Sequence, residues 1–241
     1  MSIILAFDTS TETCLVSLLV NDETINLAHL AAREHAQRIL PMVDQVLAEA
    51  GIGLSDCDAV AFGRGPGSFT GLRIAAGIAQ GLAFGQDLSV IPVSSLQALA
   101  YSAYGALIET GVPVADLPSC LSLIDARMDE VYCAEYRAND WGGIVIPEAL
   151  SAESVVKPEG LEVSGAGKYL VSGDGLRYQD RFAESVRMQL QTTEAIGVPS
   201  SQAIAELALP IWQEGGGVMA ELAAPVYVRD TVAWKKLPGR E

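Results

Sequence analysis

The chain has 241 residues, half of them apolar and about a fifth charged, with a formal net charge of −15. No Lys/Arg cluster stands ready to neutralise a phosphate backbone, which excludes a free-standing polyanion binder and leaves any nucleic-acid role to a partner's positive surface. The first apolar run is interrupted by Asp8 and Glu12 and has no basic residue before it, so it reads as a strand pair rather than a signal peptide. No run reaches the roughly eighteen apolar residues that a membrane span needs.

The elements follow in chain order. "IILAFD" reads as a buried strand and "CLVSLLV" as its hairpin partner. "TINLAHLA" is a third strand after the Asn21-Asp22 turn. Residues 34–50 read as a helix: Ala36, Ile39, Leu40, Val43, Val46, Leu47 and Ala50 recur at helical spacing, and Gly51 closes it. Leu40, Val43 and Leu47 are expected to face the core, and Pro41 to kink the helix. "DAVAF" is a strand. A helix of small residues is predicted over about 70–84, "LSVIPV" is a strand, and "SSLQALAYSAYGAL" is a helix capped by Ser94 or Ser95.

A partial echo opens the second half. "LAFDTSTETCLVSL" and "SLIDARMDEVYCAE" each carry an apolar run, an aspartate (Asp8 or Asp125), a polar turn and a second strand, which points to internal duplication. A third strand is predicted over 144–149, a looser stretch over 152–175, and helices over 179–184 and 201–214. Gly111, Pro113 and Pro118 place a boundary near residues 105–118, giving lobes 1–110 and 111–241. Three strands and a helix, then alternating strands and helices, done twice, is the layout of the actin-like ATPase (ribonuclease-H-like) superfold. That layout is α/β, with two lobes of mixed sheet and here a reduced second lobe. The superfold hosts many functions, so the fold alone decides none.

The glycine-rich "FGRGPGSFTGLR" looks at first like a phosphate loop. A nucleotide-binding G-x-x-x-x-G-K-[ST] loop needs a lysine that is absent, and G-x-G-x-x-G fails because Ser68 stands where the third glycine is required. What is left is a tight turn opening a helix, its glycines permitting close approach. There is no G-x-S-x-G elbow around Ser68. His29 and His35 are six apart and share no helix face as a metal pair, so no metal is expected, and His35 is expected at the surface or in an interface. Cys14, Cys57, Cys120 and Cys133 form no CxxC pair and read as free thiols in a reducing cytoplasm.

"ILAFDTSTETCLVSL", "REHAQRILPMV", "FGRGPGSFTGLRIAAGIAQGLAFG", "IDARMDEVY" and "PVYVRDTVAWKK" together resemble the TsaB family, also called YeaZ, over almost the whole chain. The resemblance implies a part in making N6-threonylcarbamoyladenosine next to the tRNA anticodon. The transfer step then belongs to a paralogous partner, TsaD, aided by the ATPase TsaE. Catalytic relatives carry a metal-binding His-x-x-x-His pair after the strand ending "IPV"; Ser95 and Leu99 stand at those two places here. The implied role is a non-catalytic scaffold and activator, with no cofactor bound alone but room for nucleotide at a partner interface. It would form a TsaD heterodimer, or a homodimer when alone, and reach tRNA only through the complex. The implied partner interface carries Arg33, Glu34, His35, Gln37, Arg38, Ile39, Met42, Val43 and Val46, and charge at Ile39 or Val43 is expected to break it without unfolding the chain. By analogy with the superfold, Asp8, Thr9, Ser10 and Arg127 are the candidate phosphate contacts. The alternative is an actin-like phosphotransferase or a peptidase acting alone. The basic tail around Trp234, Lys235 and Lys236 is a further candidate contact for tRNA or a partner.

Overall fold

The structure is a computed structural model and describes residues 2–21, 23–31, 33–192 and 197–229; Asp22 and the tail residues Trp234, Lys235 and Lys236 lie outside them. Strands β1 (Ile3–Asp8), β2 (Thr13–Val20) and β3 (Glu23–Leu30) form an antiparallel meander. Helix α1 (His35–Ala50) then leads to β4 (Ala59–Gly65), which pairs in parallel with β1. Helix α2 (Phe69–Gln86) connects β4 to the parallel edge strand β5 (Ser89–Ser94), and α3 (Ser95–Glu109) follows, capped by the Ser94 hydroxyl. The first sheet therefore runs β3-β2-β1-β4-β5.

The second half repeats this plan. Strands β6 (Ser119–Arg127), β7 (Glu130–Trp141) and β8 (Ile144–Ala149) form the meander, and β10 (Tyr169–Ser172) and β11 (Leu190–Thr192) add in parallel, giving β8-β7-β6-β10-β11. The order is the same in both sheets, so the sequence echo is a structural duplication and the fold is the actin-like one. The second copy is reduced. Where α1 stands in the first, the second has only β9 (Ser154–Val156), paired to β7, and a short 3-10 turn. Where α2 stands, it has the single-turn α4 (Glu184–Arg187).

Strand alternation sorts the core. On β1, Ile3, Leu5 and Phe7 face one side with α1 and α2, while Ile4 and Ala6 face the other with helix α5 (Ser201–Gln213). Helix α5 is built late in the chain yet packs on β1, β2, β4 and β5. Helix α3 does the reverse, packing on β6, β7, β8 and β10, and the two helices touch. The outer face of the second sheet is covered by loop residues such as Leu161 and Phe182.

Two local expectations need correction. The stretch over 152–175 contains β9 and β10; a four-residue strand is too short to show a period, and β10 exists because it pairs with β6, Tyr169 opposite Ser119. The helix expected over 179–184 is instead a 3-10 segment at Asp174–Arg181, ended by Phe182 and Ala183 in extended conformation before α4 begins.

Candidate functional site

The β1–β2 turn and the glycine stretch form one unit. Asp8 is fully buried; its Oδ1 accepts hydrogen bonds from the Ser10 N–H and the Ser10 hydroxyl, both at 2.7 Å. The Thr9 hydroxyl donates to the Gly71 carbonyl at 2.7 Å, and the Ser68 N–H donates to the Ser10 carbonyl at 2.9 Å. A Cβ on Gly63 would stand 1.8 Å from Asp8 Oδ2, and one on Gly71 would stand 1.8 Å from the Thr9 carbonyl oxygen. These glycines are required because the turn at residues 8–10 occupies the space their side chains would fill. Asp8, Thr9 and Ser10 are thus engaged inside the chain, and a phosphate reaching them would first have to displace the glycine stretch.

Electrostatics sharpens the picture. Asp8 Oδ2 and His35 Nε2 are both buried without a hydrogen-bond partner among the described residues. Burial pushes the Asp8 carboxyl up from its ordinary range, against the lowering effect of the Ser10 bonds and of the His35 charge. His35, expected at the surface or in an interface, is buried at the start of α1, near enough to Asp8 for its charge to act on that carboxyl. Burial also pushes the Cys14 and Cys57 thiols to about 11 and Cys120 to about 12, so none of the three presents a thiolate at neutral pH.

Helix α1 buries His35, Ile39, Met42, Val43, Val46 and Leu47 against the first sheet. Ile39 is 0% exposed whereas Leu40 is 41% exposed. Leu40 is expected inside with Val43 and Leu47, and Ile39, Met42 and Val46 on a widened, partner-facing side; Val43 and Leu47 are buried as expected, while the stripe that repeats at 3.6 residues per turn from His35 also takes in Ile39 and Val46 and misses Leu40. Charge at Ile39 or Val43 would therefore unfold the chain as well as disturb any docking. The outward face carries Arg33, Glu34, Gln37, Arg38, Leu40 and Pro41. Arg38 and Glu34 pair there at 2.9 Å, and a cavity of about 210 Å³ lies between this face and β3, lined by His29, Arg38 and Pro41 among others.

Arg127 sits at the β6–β7 turn with its side chain 73% exposed, paired to Asp125 at 3.3 Å. No hydrogen bond or ion pair joins it to Asp8, Thr9 or Ser10 among the described residues. Between the sheets lies a cleft of about 460 Å³, as the two-lobed layout implies, but the sequence did not reveal its lining. Arg64 from β4 forms a bidentate pair with Glu153 at 2.9 and 3.0 Å, and the Ser94 hydroxyl donates to the same carboxylate at 2.5 Å. The only signal for it was an arginine inside the glycine stretch; its partner lies 89 residues away. Ser95 and Leu99 are both fully buried in α3, with Leu99 in the core beneath the second sheet. Among the described residues no helix is long and apolar enough to cross a membrane, and no cluster of three His, Cys, Asp or Glu residues is arranged to hold a metal.

This duplicated architecture agrees with the comparisons. Residues 27–236 match the family model described as TsaD, tRNA N6-adenosine threonylcarbamoyltransferase. The tRNA threonylcarbamoyladenosine biosynthesis protein TsaB of Escherichia coli (strain K12) is 43% identical over 99% of this chain and 99% of its own length. The protein of the same name from Haemophilus influenzae is 41% identical over 99% and 98%. The solved structure of YeaZ from Pseudomonas aeruginosa is 41% identical and superimposes with a TM-score of 0.82 over 94% of this chain and all of that one. The chain belongs to the TsaB (YeaZ) family, within the wider group that the TsaD model describes.

Proposed function

We propose that this chain is a non-catalytic scaffold and activator subunit in the formation of N6-threonylcarbamoyladenosine in tRNA. It assembles with a TsaD homologue, which performs the transfer, and with the ATPase TsaE. The supporting observation is a pairing of kinship with chemistry. The relatives are named for this biosynthesis, while the two positions that the family resemblance aligns with a metal-binding histidine pair hold Ser95 and Leu99, both buried. A serine hydroxyl and an isobutyl group cannot replace two imidazoles. The turn at residues 8–10 weighs against a phosphotransferase or peptidase acting alone, since its three side chains are buried beneath the glycine stretch.

The docking surface in this reading is the outward face of α1: Arg33, Glu34, Gln37, Arg38, Leu40 and Pro41, with Met42 at its edge. The same face serves a homodimer when the partner is missing. With a net charge of −15, the chain reaches tRNA through the complex; in the same reading it binds no cofactor alone, leaves room for nucleotide at a partner interface, and works in the cytoplasm. The division into lobes 1–110 and 111–241 belongs to the same reading, with α3 and α5 exchanged between the sheets.

The test is co-purification with the catalytic homologue, with tRNA modification assayed in parallel. The double variant Arg38→Glu/Leu40→Asp is expected to fold normally, to lose the complex on a sizing column and to abolish modification. An intact complex and full modification with this variant would refute the reading.

A further inference from the structure

After the 3-10 turn at Ala220–Leu222, residues 223–229 cross the molecule without regular structure and touch both halves. The Gln80 side-chain amide on α2 donates to the Ala223 carbonyl at 2.8 Å. The Val226 N–H donates to the Arg64 carbonyl at 2.9 Å, inside the glycine stretch. The Tyr227 ring lies 5.2 Å from Phe69, and its hydroxyl accepts from Arg73 Nε at 3.0 Å. At Arg229 the segment reaches the second sheet. Arg229 donates to the Ala126 carbonyl at 3.2 Å, to Met128 Sδ at 3.4 Å and to the Glu130 carboxylate.

The turn that Arg229 grips is unusual. Arg127, Met128 and Asp129 have φ of 62°, 56° and 60°, three consecutive non-glycine residues in the left-handed region. For arginine and methionine this conformation crowds Cβ against the backbone, and it persists only where the surroundings over-determine it. Three supports are visible. Asp125 Oδ1 accepts from the Arg127 N–H at 2.9 Å, Arg181 pairs with Asp129 at 3.2 Å, and Arg229 holds Ala126, Met128 and Glu130. Of these, only Arg229 comes from a segment that is also fastened to the first sheet.

We propose that residues 223–229 are a strap coupling the glycine stretch to the β6–β7 turn. Docked, its arginine clamps the turn in the left-handed form and fixes the direction of Arg127. Undocked, the turn relaxes to a less crowded form and Arg127 swings. The turn is the two-state element, and the strap carries its state to Arg64 and the cleft, because Val226 lines that cavity beside Arg64 and Glu153. Any partner that binds the strap would thereby alter the exposed face of the second hairpin, 99 to 101 residues earlier in the chain.

Amide hydrogen exchange on the full chain tests this. Arg229→Gln is expected to speed exchange about tenfold at both the Val226 and the Arg127 N–H, with the β1 and β4 amides unchanged. Glu130→Gln leaves two of the arginine's contacts in place and is expected to speed the same two amides about threefold. Adding Met128→Gly to Arg229→Gln removes the crowding the clamp opposes; Arg127 protection should then return to within about twofold of wild type while Val226 stays fast. Acceleration at Val226 alone, or at neither amide, overturns the proposal. So does an Arg127 amide that stays equally fast in the double variant.

Discussion

The two hairpins, β1–β2 and β6–β7, are copies of one device put to opposite uses. In each, an aspartate at or near the end of the first strand accepts a hydrogen bond from the backbone N–H two residues on, Asp8 from Ser10 at 2.7 Å and Asp125 from Arg127 at 2.9 Å. There the likeness stops. Asp8 is buried under glycines with one oxygen unpartnered among the described residues and no arginine against it. Asp125 is met by Arg127, by Arg177 at 3.0 Å and by the Tyr178 hydroxyl at 3.1 Å. One copy is closed by helix α2 packing onto its turn. The other, having lost that helix, is held by side-chain charges and by a segment from the far end of the described chain. Duplication preserved the backbone device; the covering layer decided what the aspartate experiences.

Breaking the cover of the first hairpin should have the largest effect. Gly71→Ala puts a Cβ against the Thr9 carbonyl oxygen, a backbone atom that cannot move without shifting β1. It should cost about 4 kcal/mol or more in chemical denaturation, among the largest losses a single substitution causes. In the second copy the same constraint falls on the strand rather than the turn: a Cβ on Gly173 would stand 1.9 Å from the Leu123 carbonyl oxygen on β6.

The aspartates themselves should respond with opposite sign. Burial raises the folded-state pKa of Asp8 above its unfolded value, so the folded chain favours the protonated form. That contribution is fully present below the unfolded pKa of about 3.9 and is lost as pH rises through the folded value. Asp8→Asn removes the ionisation while keeping an oxygen for Ser10, so at pH 7 it should be neutral or stabilising in thermal unfolding. Its advantage over wild type should shrink as pH falls toward 4. A large loss at pH 7 would show that the Asp8 charge is compensated by a group not bonded to it here. Asp125→Asn, by contrast, weakens bonds to two arginines. Because both are more than half exposed, the loss at pH 7 should be only about 1 kcal/mol, and high salt should reduce it further.

Much of this was legible in the chain. Short apolar runs identified β1, β2 and β4, because strands buried on both faces carry apolar residues at nearly every position, and the small-residue run and the capping serine identified α2 and α3 to within a few residues. The missing lysine and third glycine disqualified the phosphate loop, since those templates specify residues at fixed spacing. The echo between the 8–13 and 125–130 turns foretold the duplication. The helix α1 could be drawn but not oriented. Its apolar residues are wider than one stripe, and only packing on β2 and β3 determined that Ile39 and Val46 turn inward while Leu40 faces out. The sheet likewise drew His35 inside.

The sequence by itself determined the order of elements in the first half, the opening hairpin of the second and the family, because each is a property of residue type and short spacing. Only the tertiary structure decided why Gly63 and Gly71 must be glycine, that Arg64 meets Glu153 across the cleft, and that Arg229 holds the β6–β7 turn. Those partners lie from about 50 to 100 residues away along the chain. Contacts at that separation leave no periodic trace; they exist because two sheets, folded from repeated halves, bring distant loops to the same edge.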